Sequence, residues 1–169
     1  MVRTAVLGAV AGLAAAIVVP AAAMAADGAP DSQEARGRYL TIVSGCNDCH
    51  TAGYPEQGGA VPESEWLTGV AMGYQGPWGT TYPANLRLVV QSMTEAQWLK
   101  HARQERLPPM PWFNLRQMTD EDLAAIYAYI RSLGAPGVAA PAYVAPGGKV
   151  TTPYIVFVPQ VDSRQAATR

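Results

Sequence analysis

The sequence predicts an all-α domain of three to four helices and long loops, followed by an extended C-terminal arm. Three separate stretches show apolar residues at helical spacing, and glycine and proline recur between the first two of them, as is typical of ordered loop. We therefore divide the chain into a leader at residues 1–25, a helical domain at residues 26–137, and a Pro/Ala/Val-rich arm and tail at residues 138–169.

The leader has the pattern of a secretory signal peptide. Arg3 stands before an apolar run, and Ala23-Met24-Ala25 has the small-residue spacing of a cleavage site. Cleavage there would start the mature chain at Ala26 and predicts a periplasmic protein that is not integral to the membrane but works near it. An uncleaved membrane anchor is the alternative. A formal net charge of -1 gives no indication of a nucleic-acid partner.

The first helix is predicted to begin at Asp31 or Ser32, either of which can cap it. Its apolar residues are spaced to form one buried stripe, which consists of Ala35, Tyr39, Ile42 and Val43. Gly37 lowers helix propensity by about 1 kcal/mol relative to Ala, so we expect another helix to cross closely at this point. A tolerated surface glycine is the alternative.

Directly after this helix, the two cysteines of the chain and one of its two histidines form the string Cys46-Asn47-Asp48-Cys49-His50. A C-x-x-C-H string is the attachment site of c-type haem, in which both thiols form thioethers and the imidazole ligates the iron. A redox-active dithiol and a zinc site are the alternatives. A redox-active dithiol usually opens a helix that follows a strand. A zinc site needs a fourth ligand, for which only His101 remains. The string therefore predicts one covalent haem c.

Residues 51–79 are predicted to be ordered loop, because glycine and proline interrupt every helical period. A loop of this length is unusual in a compact domain unless a large apolar cofactor supplies the core. Tyr74, Trp78 and Tyr82 are suited to pack on the porphyrin, and packing without haem contact is the alternative.

Two further helices carry clear capping signals. Thr94-Glu95-Ala96-Gln97 is a capping box, and Thr119 precedes a helix that continues to Gly134. Met93 and Met118 stand at the positions from which a hydrophobic staple contacts the first turn of each helix. The residues predicted to be buried on the last helix are Leu123, Ile126, Tyr127, Ile130 and Leu133.

The sixth ligand of the iron decides between a carrier and an enzyme. With Met93 and Met118 in staples and two methionines in the leader, Met72 and Met110 remain. Met110 is favoured, since the prolines around it forbid a helix and present its thioether from a stiff loop. Met72, His101 and an open position are the alternatives, and His101 is expected to be an exposed helix residue.

The chain resembles the class I mono-haem c-type cytochromes over residues 31–134. The resemblance rests on S-G-C-N-D-C-H-T, the M-P-W segment at Met110 and the closing helix T-D-E-D-L-A-A-I-Y-A-Y-I-R-S-L-G. The segment from Gly76 to Asn85 makes it similar to cytochrome c domains that accompany bacterial alcohol and aldehyde dehydrogenases. This resemblance implies a small class I cytochrome c fold, wrapped around the haem.

The expected function is one-electron transfer from a dehydrogenase-type redox donor to a respiratory acceptor, without enzymatic activity of its own. The protein is expected to act either alone or as the cytochrome subunit of an oxidoreductase complex. The alternative is a haem enzyme or gas sensor with a displaceable sixth ligand.

Residues 81–118 carry an excess of positive charge that could steer an acidic partner. The alternative is that these charges only form a solvated helix face. The cations are Arg87, Lys100, Arg103, Arg106 and Arg116. Lys149 to Val158 is β-prone, and Pro153 favours an edge strand or extended arm there.

Overall fold

The computed structural model describes residues 32–159, and both the leader and the tail expected to be disordered, from Asp162 to Arg169, lie outside this range. Its helices are α1 (Gln33–Val43), α2 (Cys46–His50), α3 (Leu86–Gln91), α4 (Glu95–Ala102), α5 (Trp112–Gln117) and α6 (Asp120–Ser132). Its strands are β1 (Gly73–Gly76), β2 (Gly79–Thr81) and β3 (Tyr154–Val156). Within residues 32–159, no helix combines the length and apolar character needed to span a bilayer.

Helices α1 and α6 pack against each other at the centre of the fold, as the glycine in α1 predicts. Gly37 is buried, and a Cβ atom at this position would overlap the carbonyl oxygen of Ala125 and lie 2.8 Å from Cβ of Tyr129. Only a residue without a side chain permits this approach. The predicted close helix crossing is confirmed.

The predicted buried face of α1 is wrong for Ala35, Tyr39 and Val43, whereas Ile42 is partly buried and packs against the core. Tyr39 and Val43 are 56% and 58% exposed, and the residues that are buried in this helix are Gly37 and Thr41. Because α6 approaches α1 so closely, the contact surface is formed by small residues. Leu40 and Ile42 of α1 are partly buried against the core.

The capping signals of α4 and α6 are confirmed. The Thr94 hydroxyl accepts from the backbone N–H of Gln97, whose side chain accepts from the N–H of Thr94 in return, and Thr119 caps α6 by accepting from Asp122. Trp98 donates its indole N–H to the carbonyl of Leu123 at 2.9 Å, which fastens α4 to α6. The core comprises these two helices, parts of α1 and α3, and Val61, Trp66 and Leu67 from the loop.

The small helical domain is present, but a three-stranded sheet shows that the prediction of an all-α fold is incomplete. Strand β1 pairs with β2 in an antiparallel hairpin and with β3 in parallel register, in the order β2-β1-β3. Two short helices, α3 and α5, were also not predicted. Asn85 caps α3 through its side-chain oxygen, which accepts from the N–H of Leu88 at 3.2 Å.

Arg87 on α3 is not part of a charged surface. It is 2% exposed, and its guanidinium donates to the carbonyls of Leu133 and Glu63 at 2.9 and 2.8 Å. The Glu63 carboxylate meanwhile accepts from Arg38 and from the hydroxyl of Tyr129. Arg87 therefore joins three parts of the domain, and the predicted excess of surface cations is smaller by one charge.

Candidate functional site

The Cys-x-x-Cys-His string folds as the short helix α2, directly after α1. Gly45 makes the turn between the two helices, with a φ of 69° and its N–H donating to the carbonyl of Ile42 at 3.0 Å. This left-handed backbone conformation favours glycine. The tight turn ends α1 and starts α2, in which His50 is buried and both cysteines are partly buried.

The loop after α2 is tied to the string through a buried threonine. Thr51 is 2% exposed, its hydroxyl donates to Asn47 at 2.7 Å, and it accepts from the N–H of Leu67 at 2.8 Å. The carbonyl of His50 accepts from the N–H of Gly69 at 2.9 Å. These bonds fix the backbone of the string against the long loop.

The imidazole of His50 is oriented for a metal. The ring is buried, and its Nδ1–H donates to the carbonyl of Ala84 at 2.8 Å. This bond leaves Nε2 as the atom with a free lone pair, an arrangement found in most histidines that ligate metals. Burial lowers the pKa of His50, although the bond to Ala84 opposes this effect, so the ring is neutral at physiological pH.

His50 lines a cavity of about 490 Å³ together with Cys46, Cys49 and Met110. Small-molecule and cofactor sites have volumes of roughly 300–1,000 Å³. Met72, the other methionine considered as sixth ligand, does not line this cavity. Apolar side chains from α3 to α6 line much of the remaining wall, and they include Leu86, Val89, Trp98, Leu115, Ile126 and Ile130.

The residues present therefore fit a covalently held haem. No disulfide joins Cys46 and Cys49, so both thiols can form thioethers. Burial raises the pKa of Cys46 to about 11, with a smaller contribution from the Asp48 carboxylate, and this thiol is protonated in the absence of the cofactor. A large flat apolar ring would supply the core that this loop-rich region lacks.

The aromatic residues predicted to pack on the porphyrin divide into two groups. Tyr74 and Tyr82 line the cavity, whereas Trp78 does not. The indole of Trp78 instead folds back over its own hairpin, where a Cβ at Gly76 would lie 2.5 Å from the ring. Burial raises the pKa of Tyr74 to about 12, with a smaller contribution from the neighbouring Cys49.

His101 is not the exposed helix residue expected from the sequence. It is partly buried and lines the cavity. The guanidinium of Arg106 donates to Nε2 of His101 at 3.0 Å and to the carbonyl of His101 at 2.9 Å. The imidazole ring of His101 stacks on Trp98. Burial and the Arg106 charge lower the pKa of His101. The lone pair that could ligate a metal is thus already engaged by a guanidinium.

Sequence reasoning did not identify the carbonyl of Ala84 as the partner of His50, nor Pro141 and Tyr143 of the arm as part of the cavity wall. A backbone carbonyl has no signature in the sequence, and the arm reaches the cavity only by folding back over the domain. The similarity of the segment from Gly76 to Asn85 to a known pattern was the one available signal for Ala84.

The fold and the site define a small helical protein built to carry one covalently attached haem. The family model for cytochrome c matches residues 34–134, which is more than half of the chain, and the chain belongs to the cytochrome c family. Members of this family bind haem c covalently, and Cys46, Cys49 and His50 form the attachment motif here. Comparisons with curated proteins and with solved structures found no match.

Proposed function

We propose that this protein is a periplasmic one-electron carrier whose haem c has His50 and Met110 as axial ligands. The observation that carries the proposal is the cavity that Cys46, Cys49, His50 and Met110 line together, with His50 already oriented by Ala84. When bound, haem c supplies a reversible Fe(III)/Fe(II) couple. Membership of the cytochrome c family supports electron transfer rather than catalysis.

The Met110 loop is suited to hold a weak ligand in place. Thr81 donates its hydroxyl to the carbonyl of Pro108 at 2.8 Å, which holds the loop to the hairpin. Within the loop, the N–H of Trp112 donates to the carbonyl of Met110 at 2.9 Å and closes a tight turn. A thioether on such a loop can ligate iron without being displaced by water. Methionine as the sixth ligand raises the reduction potential.

Two strong ligands on a rigid frame also favour fast electron transfer. A haem iron held by both His50 and Met110 would have no open position for a substrate, and neither side chain would need to move between the two oxidation states. His50 is held by the Ala84 carbonyl, and the backbone of Met110 by the bond from Trp112. Small reorganisation is the property that a carrier requires.

The partners we propose are a dehydrogenase-type donor and a respiratory acceptor, both redox proteins. Apolar side chains flank the Met110 loop on the surface, with Leu107 45% and Phe113 56% exposed. Arg116 lies over the ring of Trp112 at 4.2 Å and adds a positive charge to this area. An apolar patch with a basic rim fits transient docking of an acidic redox partner.

The ligand assignment is tested by replacing Met110 with Ala in the haem-loaded protein. We expect loss of the weak far-red band of the Met–iron bond, a lower reduction potential, and binding of cyanide or carbon monoxide. Met72→Ala, outside the cavity, is the matched control. His101→Ala removes the other candidate ligand that lines the cavity.

Retention of the far-red band in Met110→Ala would contradict the assignment. Rapid binding of carbon monoxide by the unaltered protein would instead favour a haem enzyme or gas sensor.

For localisation, fractionation of the native host followed by N-terminal sequencing should find the protein in the periplasm, beginning at Ala26. A chain that keeps its first residues and sediments with membranes would contradict the cleaved signal peptide.

A further inference from the structure

The C-terminal arm, residues 138–158, lies outside the region that matches the cytochrome c family and packs on one segment of the domain. We name this segment, residues 73–85, the inner segment. At the base of the arm, the Asn85 amide donates to the carbonyls of Pro136 and Val138 at 2.9 and 3.2 Å. The arm therefore begins where α3 begins.

Further contacts follow along the length of the arm. Thr80 and Val144 exchange two backbone hydrogen bonds of 2.8 and 3.0 Å, and the hydroxyls of Tyr82 and Thr152 are hydrogen-bonded at 2.7 Å. Strand β3 then pairs with β1 in parallel register. The arm thus pairs with both edges of the hairpin, through Val144 beside β2 and through β3 beside β1.

The inner segment also forms part of the wall of the haem cavity. Tyr74, Thr81, Tyr82, Pro83 and Ala84 line this cavity. The carbonyl of Ala84 is also the group that orients the proximal imidazole. The inner segment therefore contacts both the haem site and the arm.

The arm also reaches the cavity directly through Pro141 and Tyr143. The hydroxyl of Tyr143 donates to the carbonyl of Trp78 at 2.7 Å. Gly79, with a φ of 98°, has no side chain, and a Cβ there would overlap the carbonyl of Val144 and lie 2.9 Å from the Tyr143 hydroxyl. The hairpin and the arm therefore pack closely at Gly79.

The hydrophobic core does not depend on the arm. The buried core residues lie between Val61 and Ile130, and the residues of β3 are exposed. Fastening an otherwise exposed strand onto the domain is then best explained by an effect on the inner segment and on the cavity behind it.

We propose that the arm is an additional outer wall of the haem cavity, which excludes water from one side of the haem and raises its reduction potential, with Tyr143 as the residue that closes the wall. Water stabilises the extra positive charge of the oxidised iron, so its exclusion favours the reduced form. Holding the inner segment also keeps the Ala84 carbonyl in place. A carbonyl that accepts from a ligating histidine fixes the orientation of the ring and raises its basicity as a ligand.

The test uses three full-length variants of the haem-loaded protein. Tyr143→Ala opens the wall, Tyr143→Phe keeps the ring but removes the bond to Trp78, and Tyr154→Ala is the matched control. Tyr154 lies in the same arm with 46% exposure against 50% for Tyr143, and it does not line the cavity. Redox titration measures the potential, and amide hydrogen exchange with peptide-level mass spectrometry measures protection of the inner segment.

We expect Tyr143→Ala to lower the potential and to speed exchange in residues 73–85, Tyr143→Phe to retain most of the potential, and Tyr154→Ala to match the unaltered protein. An unchanged potential in Tyr143→Ala, or an equal drop in Tyr154→Ala, would overturn the role of the arm. The inference rests on the haem of the proposed carrier, and absence of covalent haem from the unaltered protein would overturn both. An unchanged potential in a loaded protein counts against the arm alone.

Discussion

Replacing Gly37 with Ala is expected to destabilise the protein, although the same change in an isolated helix is stabilising. In this fold the new methyl group would point into α6. It would overlap the carbonyl oxygen of Ala125 and lie 2.8 Å from Cβ of Tyr129, where ordinary contacts begin at 3.4 Å. The two helices would have to separate, because the atoms met are backbone and Cβ rather than the end of a flexible side chain.

The magnitude follows from two opposing contributions. Overpacking of a close-packed interior costs about 1–3 kcal/mol, and a clash with backbone belongs at the upper end of that range. The gain in helix propensity from Gly to Ala is about 1 kcal/mol. The expected net loss is therefore about 2 kcal/mol in the free energy of unfolding, or roughly a 30-fold change in the folding equilibrium constant.

Urea unfolding of the haem-loaded protein, followed by far-ultraviolet circular dichroism, measures this loss. Ala35→Gly is the control, because Ala35 is exposed on the same helix and its replacement reports propensity alone, with an expected cost of about 1 kcal/mol. Equal or greater stability of Gly37→Ala would refute the close crossing of α1 and α6.

Two further predictions concern pH and the base of the arm. Burial and the hydrogen bond to Glu63 raise the pKa of Tyr129, so the folded protein holds this proton more tightly than the unfolded chain does. Stability should be complete below the ordinary tyrosine value of about pH 10 and fall as the pH rises above it, and Tyr129→Phe should flatten that fall in urea unfolding measured across this range. Asn85→Ala removes a helix cap and two bonds to the arm, and should cost about 2 kcal/mol in the same assay, against about 1 kcal/mol for the cap-only control Thr94→Ala. Equal losses in these two variants would contradict the role of Asn85 in holding the arm.

The elements that could be predicted from sequence carry their signals in a few neighbouring residues. Thr119 and Gly134 bracket α6, and Thr94 with Gln97 marks the start of α4. An edge strand or extended arm is predicted near Pro153, and β3 lies at Tyr154–Val156. Capping and strand propensity are local, so they can be recognised before the fold is known.

The predictions that failed depended on distant contacts. Tyr39 and Val43 are as apolar as residues that α1 might bury, but the closeness of α6 selects Gly37 and Thr41 instead. Arg87 has the sequence appearance of a surface cation, and it is buried because two backbone carbonyls from elsewhere in the chain accept its hydrogen bonds.

In the candidate site, too, the residues with local sequence signals could be predicted and those that depend on distant contacts could not. Cys46, Cys49 and His50 form a local string, and the prolines beside Met110 single it out from the other methionines. The structure brings these four residues to one cavity. Neither the engagement of His101 by Arg106 nor the approach of Tyr143 could be deduced, because each depends on how loops fold over the domain.

The central claim is that the chain carries one low-spin haem c and exchanges one electron. A reductive titration of the purified exported protein, followed by its absorption spectrum, tests this claim most directly. We expect uptake of one electron per chain and sharp low-spin bands in both oxidation states, with the haem retained after denaturation through Cys46 and Cys49. A high-spin oxidised spectrum, or loss of the haem on denaturation, would contradict the account.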